Sequence, residues 1–150
     1  MKHKKEKVII GGLEDIALPD WGIGKIRARV DTGARTSAIH VERMKLLTGG
    51  RVAFDVVLGW KGPRKRKRVI ARIKKRASVR PSSGHQQVRI YVSTMMQLGS
   101  ITRTIDIGLA DRKEMIFRML LGRSALKNDF LVSPGHHCLL NPLGKRRMRK

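Results

Sequence analysis

Lys25-Ile26-Arg27-Ala28-Arg29-Val30 runs without interruption into Asp31-Thr32-Gly33-Ala34. Ile26, Ala28 and Val30 alternate with Lys25, Arg27 and Arg29, the period-two pattern of a half-buried strand. Asp followed closely by Gly is a turn signal in its own right. The segment therefore reads either as an ordinary turn with an Asx-type hydrogen bond or as a loop presenting a carboxylate from a strand end. The second reading asks more of each residue. Asp31 would be aimed into a cleft, and Thr32 would hydrogen-bond inward. Gly33 would bring its backbone close to the carboxylate and donate its N–H, and Ala34 would keep the loop small.

The same alternation recurs on both sides of this stretch. Val52, Phe54, Val56 and Leu58 follow it, as do Val69, Ala71 and Ile73, then Val88, Ile90 and Val92, then Ile105, Ile107 and Leu109. Gly49-Gly50, residues 59–63, residues 81–84 and Gly99 punctuate the runs. Several short strands at such spacing predict a closed or sandwiched all-β body. Helix is predicted only at residues 123–129, with a second helical turn within residues 35–44. One domain over residues 8–143 is expected, between basic, flexible termini at 1–7 and 144–150.

Charge is the outstanding compositional feature. Lys and Arg number 34 against 11 Asp and Glu, a net charge of +23 in 150 residues. Such a field favours a polyanionic partner: RNA, an anionic surface or an acidic polypeptide. The densest basic segment is residues 61–80, including Arg64, Lys65, Arg66, Lys67, Arg68, Lys74, Lys75 and Arg76. It keeps strand alternation, so it reads as a hairpin with charged faces. One cysteine, Cys138, excludes an intrachain disulfide and fits a reducing compartment. With no apolar run long enough for a signal peptide or a membrane span, the expected location is cytoplasmic, with no membrane partner.

A second segment gives the Asp31 loop a partner. Met119-Leu120-Leu121-Gly122-Arg123-Ser124-Ala125-Leu126 is an apolar run, then Gly-Arg, then the predicted helix. Together with Val30-Asp31-Thr32-Gly33-Ala34 and Ser37, it resembles the paired signatures of the retropepsins. The likeness is closer still to a small bacterial group of retropepsin-like endopeptidases once labelled ATP-dependent zinc proteases. It extends through Ile10-Gly11-Gly12-Leu13-Glu14, Leu18-Pro19, Arg35-Thr36-Ser37-Ala38 and Met115. Gly12-Leu13 and the basic 61–80 stretch depart from the group's pattern. The resemblance implies a closed acid-protease barrel with one or two short helices. It also implies Asp31 as catalytic carboxylate, with Thr32, Gly33, Ala34, Ser37, Leu121, Gly122 and Arg123 supporting it.

Aspartic peptidases use two carboxylates about 3 Å apart that share one proton, one acting as base and the other as acid. This chain has a single Asp-Thr-Gly; Asp55, Asp106 and Asp111 lack that context. The resemblance therefore implies a homodimer with Asp31 of each copy at a two-fold axis. Ala34 in place of a hydroxyl residue suggests activity extending toward neutral pH. A flap is expected with its tip at Ser82, Ser83, Gly84 and His85, although these residues suit a mobile polar turn equally well. The group is associated with trimming glutamate tails on a ribosomal protein, and the basic stretch suits an acidic substrate or ribosomal RNA. The alternative is a non-catalytic RNA- or ribosome-binding β-barrel. No cofactor is expected. There is no His-Glu-x-x-His and no phosphate-binding loop, and His136-His137-Cys138 lacks the spaced partner ligands of a zinc site.

Overall fold

The computed structural model describes residues 6–58, 65–80, 86–112 and 116–140. They form an all-β fold of nine strands: β1 Val8–Leu18, β2 Ile23–Val30, β3 Ser37–Leu47, β4 Arg51–Val57, β5 Arg66–Val79, β6 Gln87–Leu98, β7 Ile101–Ala110, β8 Met119–Leu121 and β9 Phe130–His137. A 3-10 turn at Pro19–Trp21 and one helical turn, α1 at Arg123–Leu126, are the helical elements among the described residues. No helix there is long and apolar enough to cross a membrane.

The alternating runs are strands as read, with differences that packing explains. In β2, Ile23, Ile26, Ala28 and Val30 are buried while the basic residues between them are exposed. β4 is buried on both faces, because Ala53, Asp55 and Val57 are covered as well as Val52, Phe54 and Val56. Val88 is 69 % exposed, whereas Ile90 and Val92 further along β6 are buried. The helical turn expected within residues 35–44 does not form. That stretch enters β3, and Ser37, Ala38, Ile39, His40 and Val41 are all buried. A strand enclosed on both faces loses its alternation, and periodicity alone does not separate it from buried helix. The helix expected at 123–129 forms but stops after Leu126.

The strands run in the order β4-β5-β6-β7-β3-β8-β2-β1-β9, and β3–β4 and β1–β6 also pair. Short β8 decides the site. It lies between β2, to which it is parallel through Val30↔Leu121, and β3, to which it is antiparallel through Ala38↔Leu120. Ala28, Met119, Ile39, Leu109 and Ile90 line up through consecutive pairings and are all buried. Each large apolar side chain so buried contributes about 1.5–3 kcal/mol. The neighbouring row is Arg29, Leu120, Ala38, Gly108 and Tyr91. Successive residues of a strand project to opposite faces, so this row looks away from the core, toward the side of Asp31.

Candidate active site

Asp31 leaves the end of β2 and is partly exposed. Its N–H donates to the Leu121 carbonyl at 2.9 Å, continuing the β2–β8 ladder by one residue. Its Oδ1 accepts the Gly33 N–H at 2.9 Å, and the Ala34 N–H donates to the Asp31 carbonyl at 3.2 Å. The Gly33 contact is the bond of an Asx turn, so it agrees with both readings of the segment. The ties to the second motif set the loop apart from a simple turn. The Arg123 N–H donates to the Ala34 carbonyl at 2.8 Å and the Ser124 N–H to the Arg35 carbonyl at 3.0 Å. Arg123 Nη1 donates to the Thr32 carbonyl at 3.0 Å, and buried Ser37 Oγ accepts the Gly122 N–H at 3.2 Å.

Thr32 was expected to bond inward through its side chain. It is exposed, its hydroxyl makes no hydrogen bond among the described residues, and its carbonyl anchors the loop instead. Gly122 is required by close approach. A Cβ there would lie 2.5 Å from the Thr36 carbonyl oxygen and 2.6 Å from its carbon. Gly33 is tight in the same sense, since its added Cβ would stand 3.1 Å from Asp31 Oδ1. The two sequence motifs thus meet as two halves of one hydrogen-bonded loop pair.

The described residues include the stem of the expected flap. β5 and β6 form a hairpin paired as far as Val79↔Gln87. Ser82, Ser83, Gly84 and His85 lie outside the described residues, as do Arg64 and Met115. Much of the basic stretch is engaged within the fold. Arg66 meets Glu42 at 2.8 Å, Arg68 meets Asp55 at 3.1 Å and Lys74 meets Asp106 at 3.0 Å. Lys75 Nζ stands 4.8 Å over the Tyr91 ring. Lys65, Lys67 and Arg76 are exposed. His136 Nδ1 is 2.6 Å from Ser133 Oγ, and no group of three metal-ligating side chains occurs among the described residues.

His40, Glu42 and Arg112 form a second network that no sequence motif marks. His40 is 2 % exposed. Its Nδ1 accepts the Arg112 N–H at 2.8 Å, so the ring proton sits on Nε2, which donates to Glu42 Oε2 at 2.9 Å. The bonds from His40 and Arg66 hold the Glu42 carboxyl down at about 2. Burial pushes the Arg112 guanidinium below its usual value; the Arg89 and Arg29 charges add to this, and the Asp31 charge opposes it. Arg112 follows β7, and the β7–β3, β3–β8 and β8–β2 pairings together bring it to the side of Asp31. No local pattern in the sequence signals that meeting.

Similarity to known proteins agrees with this geometry. A family model described as RimB-like, retropepsin-like aspartic endopeptidase RimB, matches residues 9–141. A probable alpha-L-glutamate ligase of Shewanella pealeana is 33 % identical over 141 residues, covering 92 % of this chain and 31 % of the relative. One of the same name from Desulfotalea psychrophila is 32 % identical over 157 residues, covering 100 % of this chain and 33 % of the relative. The chain therefore spans about a third of the length of these curated relatives. A Legionella pneumophila protein of unknown function shares the fold, with a TM-score of 0.74, 23 % identity, and coverage of 91 % of this chain and 100 % of that one. With the Asp31 loop bonded to the Gly122-Arg123 segment and the family model spanning residues 9–141, the protein belongs to the RimB-like family of retropepsin-like aspartic endopeptidases.

Proposed function

We propose that this chain is one subunit of a homodimeric aspartic endopeptidase that hydrolyses peptide bonds in acidic, glutamate-rich tails, with a ribosomal protein as the bearer of the tail. The observation behind the reading is the Asp31 carboxylate at a strand end, held by the Gly33 N–H and braced through Leu121, Gly122 and Arg123. Asp31 of two copies would share one proton. The ionised carboxylate takes a proton from water as it attacks the scissile carbonyl carbon, and the protonated one supplies a proton to the carbonyl oxygen. As the tetrahedral species collapses, the carboxyl that took the proton from water gives it to the nitrogen, the C–N bond breaks, and a gem-diol hydroxyl returns a proton to the other carboxylate, releasing acid and amine.

Four of the six remaining aspartates support the need for a second copy, because the fold pairs them with cations. Asp15 pairs with Arg27, Asp55 with Arg68, Asp106 with Lys74 and Asp129 with Arg103. The glutamate-joining activity in the names of the ligase relatives, in which sequences like this one form about a third of the chain, favours a glutamate-rich substrate. The net charge of +23 favours the same class by attraction.

The other reading is a basic module that binds ribosomal RNA without catalysis. The surplus charge favours it, while the burial of Trp21 and Phe54 in an edge-to-face pair at 5.3 Å removes two of the rings that base stacking would use. Incubation of an oligoglutamate-tagged protein with wild type and Asp31→Asn separates the two. Release of tail by wild type alone supports the peptidase. Equal release by both removes Asp31 from the mechanism, and release by neither favours the RNA module.

A further inference from the structure

Several arginines away from Asp31 meet carboxylates. Arg27 bonds Asp15, Arg66 bonds Glu42, Arg68 bonds Asp55 and Arg103 bonds Asp129. Exposed Arg51, Arg72 and Arg76 have no ion-pair partner among the described residues, and on the Asp31 side of the sheet three such arginines share one face. Arg29, Arg89 and Arg112 have no ion-pair partner among the described residues. Arg29 stands two residues before Asp31 on the same strand face, roughly 7 Å away along the chain. Arg89 comes from β6 and lies across β7: a Cβ added at Gly108 would meet its Cδ at 2.8 Å and its Cγ at 3.5 Å. The missing side chain at Gly108 is what lets Arg89 lie flat there.

Arg112 approaches from the end of β7. Its backbone is fixed by His40, and its Nη2 reaches the Phe117 carbonyl only at 3.5 Å. Its Nε is buried with no hydrogen-bond partner. Three guanidinium groups on one face repel one another, and a buried N–H without an acceptor is unfavourable. An anion in their midst relieves both. Carboxylate is the fitting class, because guanidinium offers a planar pair of donors to two oxygens.

We propose that Arg29, Arg89 and Arg112 form a carboxylate-binding subsite beside Asp31 that holds an acidic side chain of the peptide next to the bond to be cleaved. This deepens the peptidase reading and rests on it for the position of the scissile bond. The assignment moves substrate selection away from the 61–80 stretch, whose Arg66, Arg68 and Lys74 are already paired. It also separates a local subsite from a diffuse attraction that any surface cation would share.

The test measures binding of fluorescein-labelled hexaglutamate and hexaglutamine by fluorescence anisotropy at physiological salt, with turnover followed in parallel. Wild type and Asp31→Asn are expected to bind hexaglutamate alike. Arg112→Gln and Arg89→Gln should each weaken it about tenfold, the loss typical of one charge-assisted pair. Arg29→Gln, on an exposed position, provides a variant whose folding is not at risk. Lys45→Gln, at an exposed position on β3, should weaken it less than about twofold. No binding by wild type, binding indifferent to the arginines, equal loss from Lys45→Gln, or equal affinity for hexaglutamine overturns the subsite. Arginine-dependent binding without turnover by wild type supports the subsite and overturns the peptidase reading. Turnover that requires Asp31 but ignores the arginines does the reverse.

Discussion

The Asp31 N–H donates to the Leu121 carbonyl at 2.9 Å, joining the end of β2 to the end of β8. Neither motif positions the carboxylate alone, and Gly122 sits where the two backbones come closest. Gly122→Ala would place a methyl group 2.5 Å from the Thr36 carbonyl oxygen, and only backbone movement relieves that contact. A loss of about 1–3 kcal/mol in urea-unfolding free energy is expected, with turnover reduced further because the Asp31 loop shifts. Wild-type stability in the alanine variant would show that the two loops are not tightly locked.

Glu14 is expected to be a second structural anchor. It is fully buried, and its carboxylate accepts N–H bonds from Gly11 at 2.8 Å, Leu139 at 2.8 Å and Leu140 at 3.3 Å. Glu14→Ala leaves these donors without their acceptor. A cost of about 2–4 kcal/mol is expected in equilibrium unfolding, together with faster amide exchange at Leu139. Unchanged exchange at Leu139 would contradict the anchoring role.

The Glu42 carboxyl, held down at about 2 by His40 and Arg66, predicts an acid limb to stability. A depressed carboxyl stabilises the fold above its unfolded value near 4.5, and that contribution is lost as pH falls toward 2. Glu42→Gln should therefore lower the unfolding temperature at neutral pH, and the gap to wild type should narrow between about pH 4.5 and 2. A gap independent of pH would rule out the ionised pair as its source.

His40 holds the backbone of Arg112 through an acceptor nitrogen. With Arg112 holding substrate as proposed, His40 acts as a positioning residue, and its loss should act on substrate binding more than on chemistry. His40→Leu is expected to raise KM for an acidic peptide several-fold with a smaller change in kcat, and His40→Asn, which returns an acceptor near Nδ1, should recover most of the loss. Equal effects of Leu and Asn would indicate general disturbance of β3.

Much of this architecture was legible in the residues. Strand alternation located β2, β4, β6 and β7, because each buries one face or lies between covered faces. The paired motifs located both halves of the loop, because close backbone approach demands Gly33 and Gly122. The first half of β3 carries no strand signal, since Ser37 to Val41 are buried on both sides and display no period. The surroundings of Asp31 were not legible at all. Arg112, Arg89 and His40 reach that face only through the register of β3, β6 and β7, and register is a property of the assembled sheet.

One active site is expected to need Asp31 from two copies, and subunit mixing reads this out. Wild type is titrated with Asp31→Asn, allowed to exchange subunits, and assayed on an oligoglutamate-tagged protein at constant wild-type concentration. If a productive dyad requires two aspartates, activity falls with the mole fraction of wild type, to about one quarter at a threefold excess of the variant. Activity that stays constant as Asp31→Asn is added, with mixed dimers verified, would rule out a dyad shared between two copies.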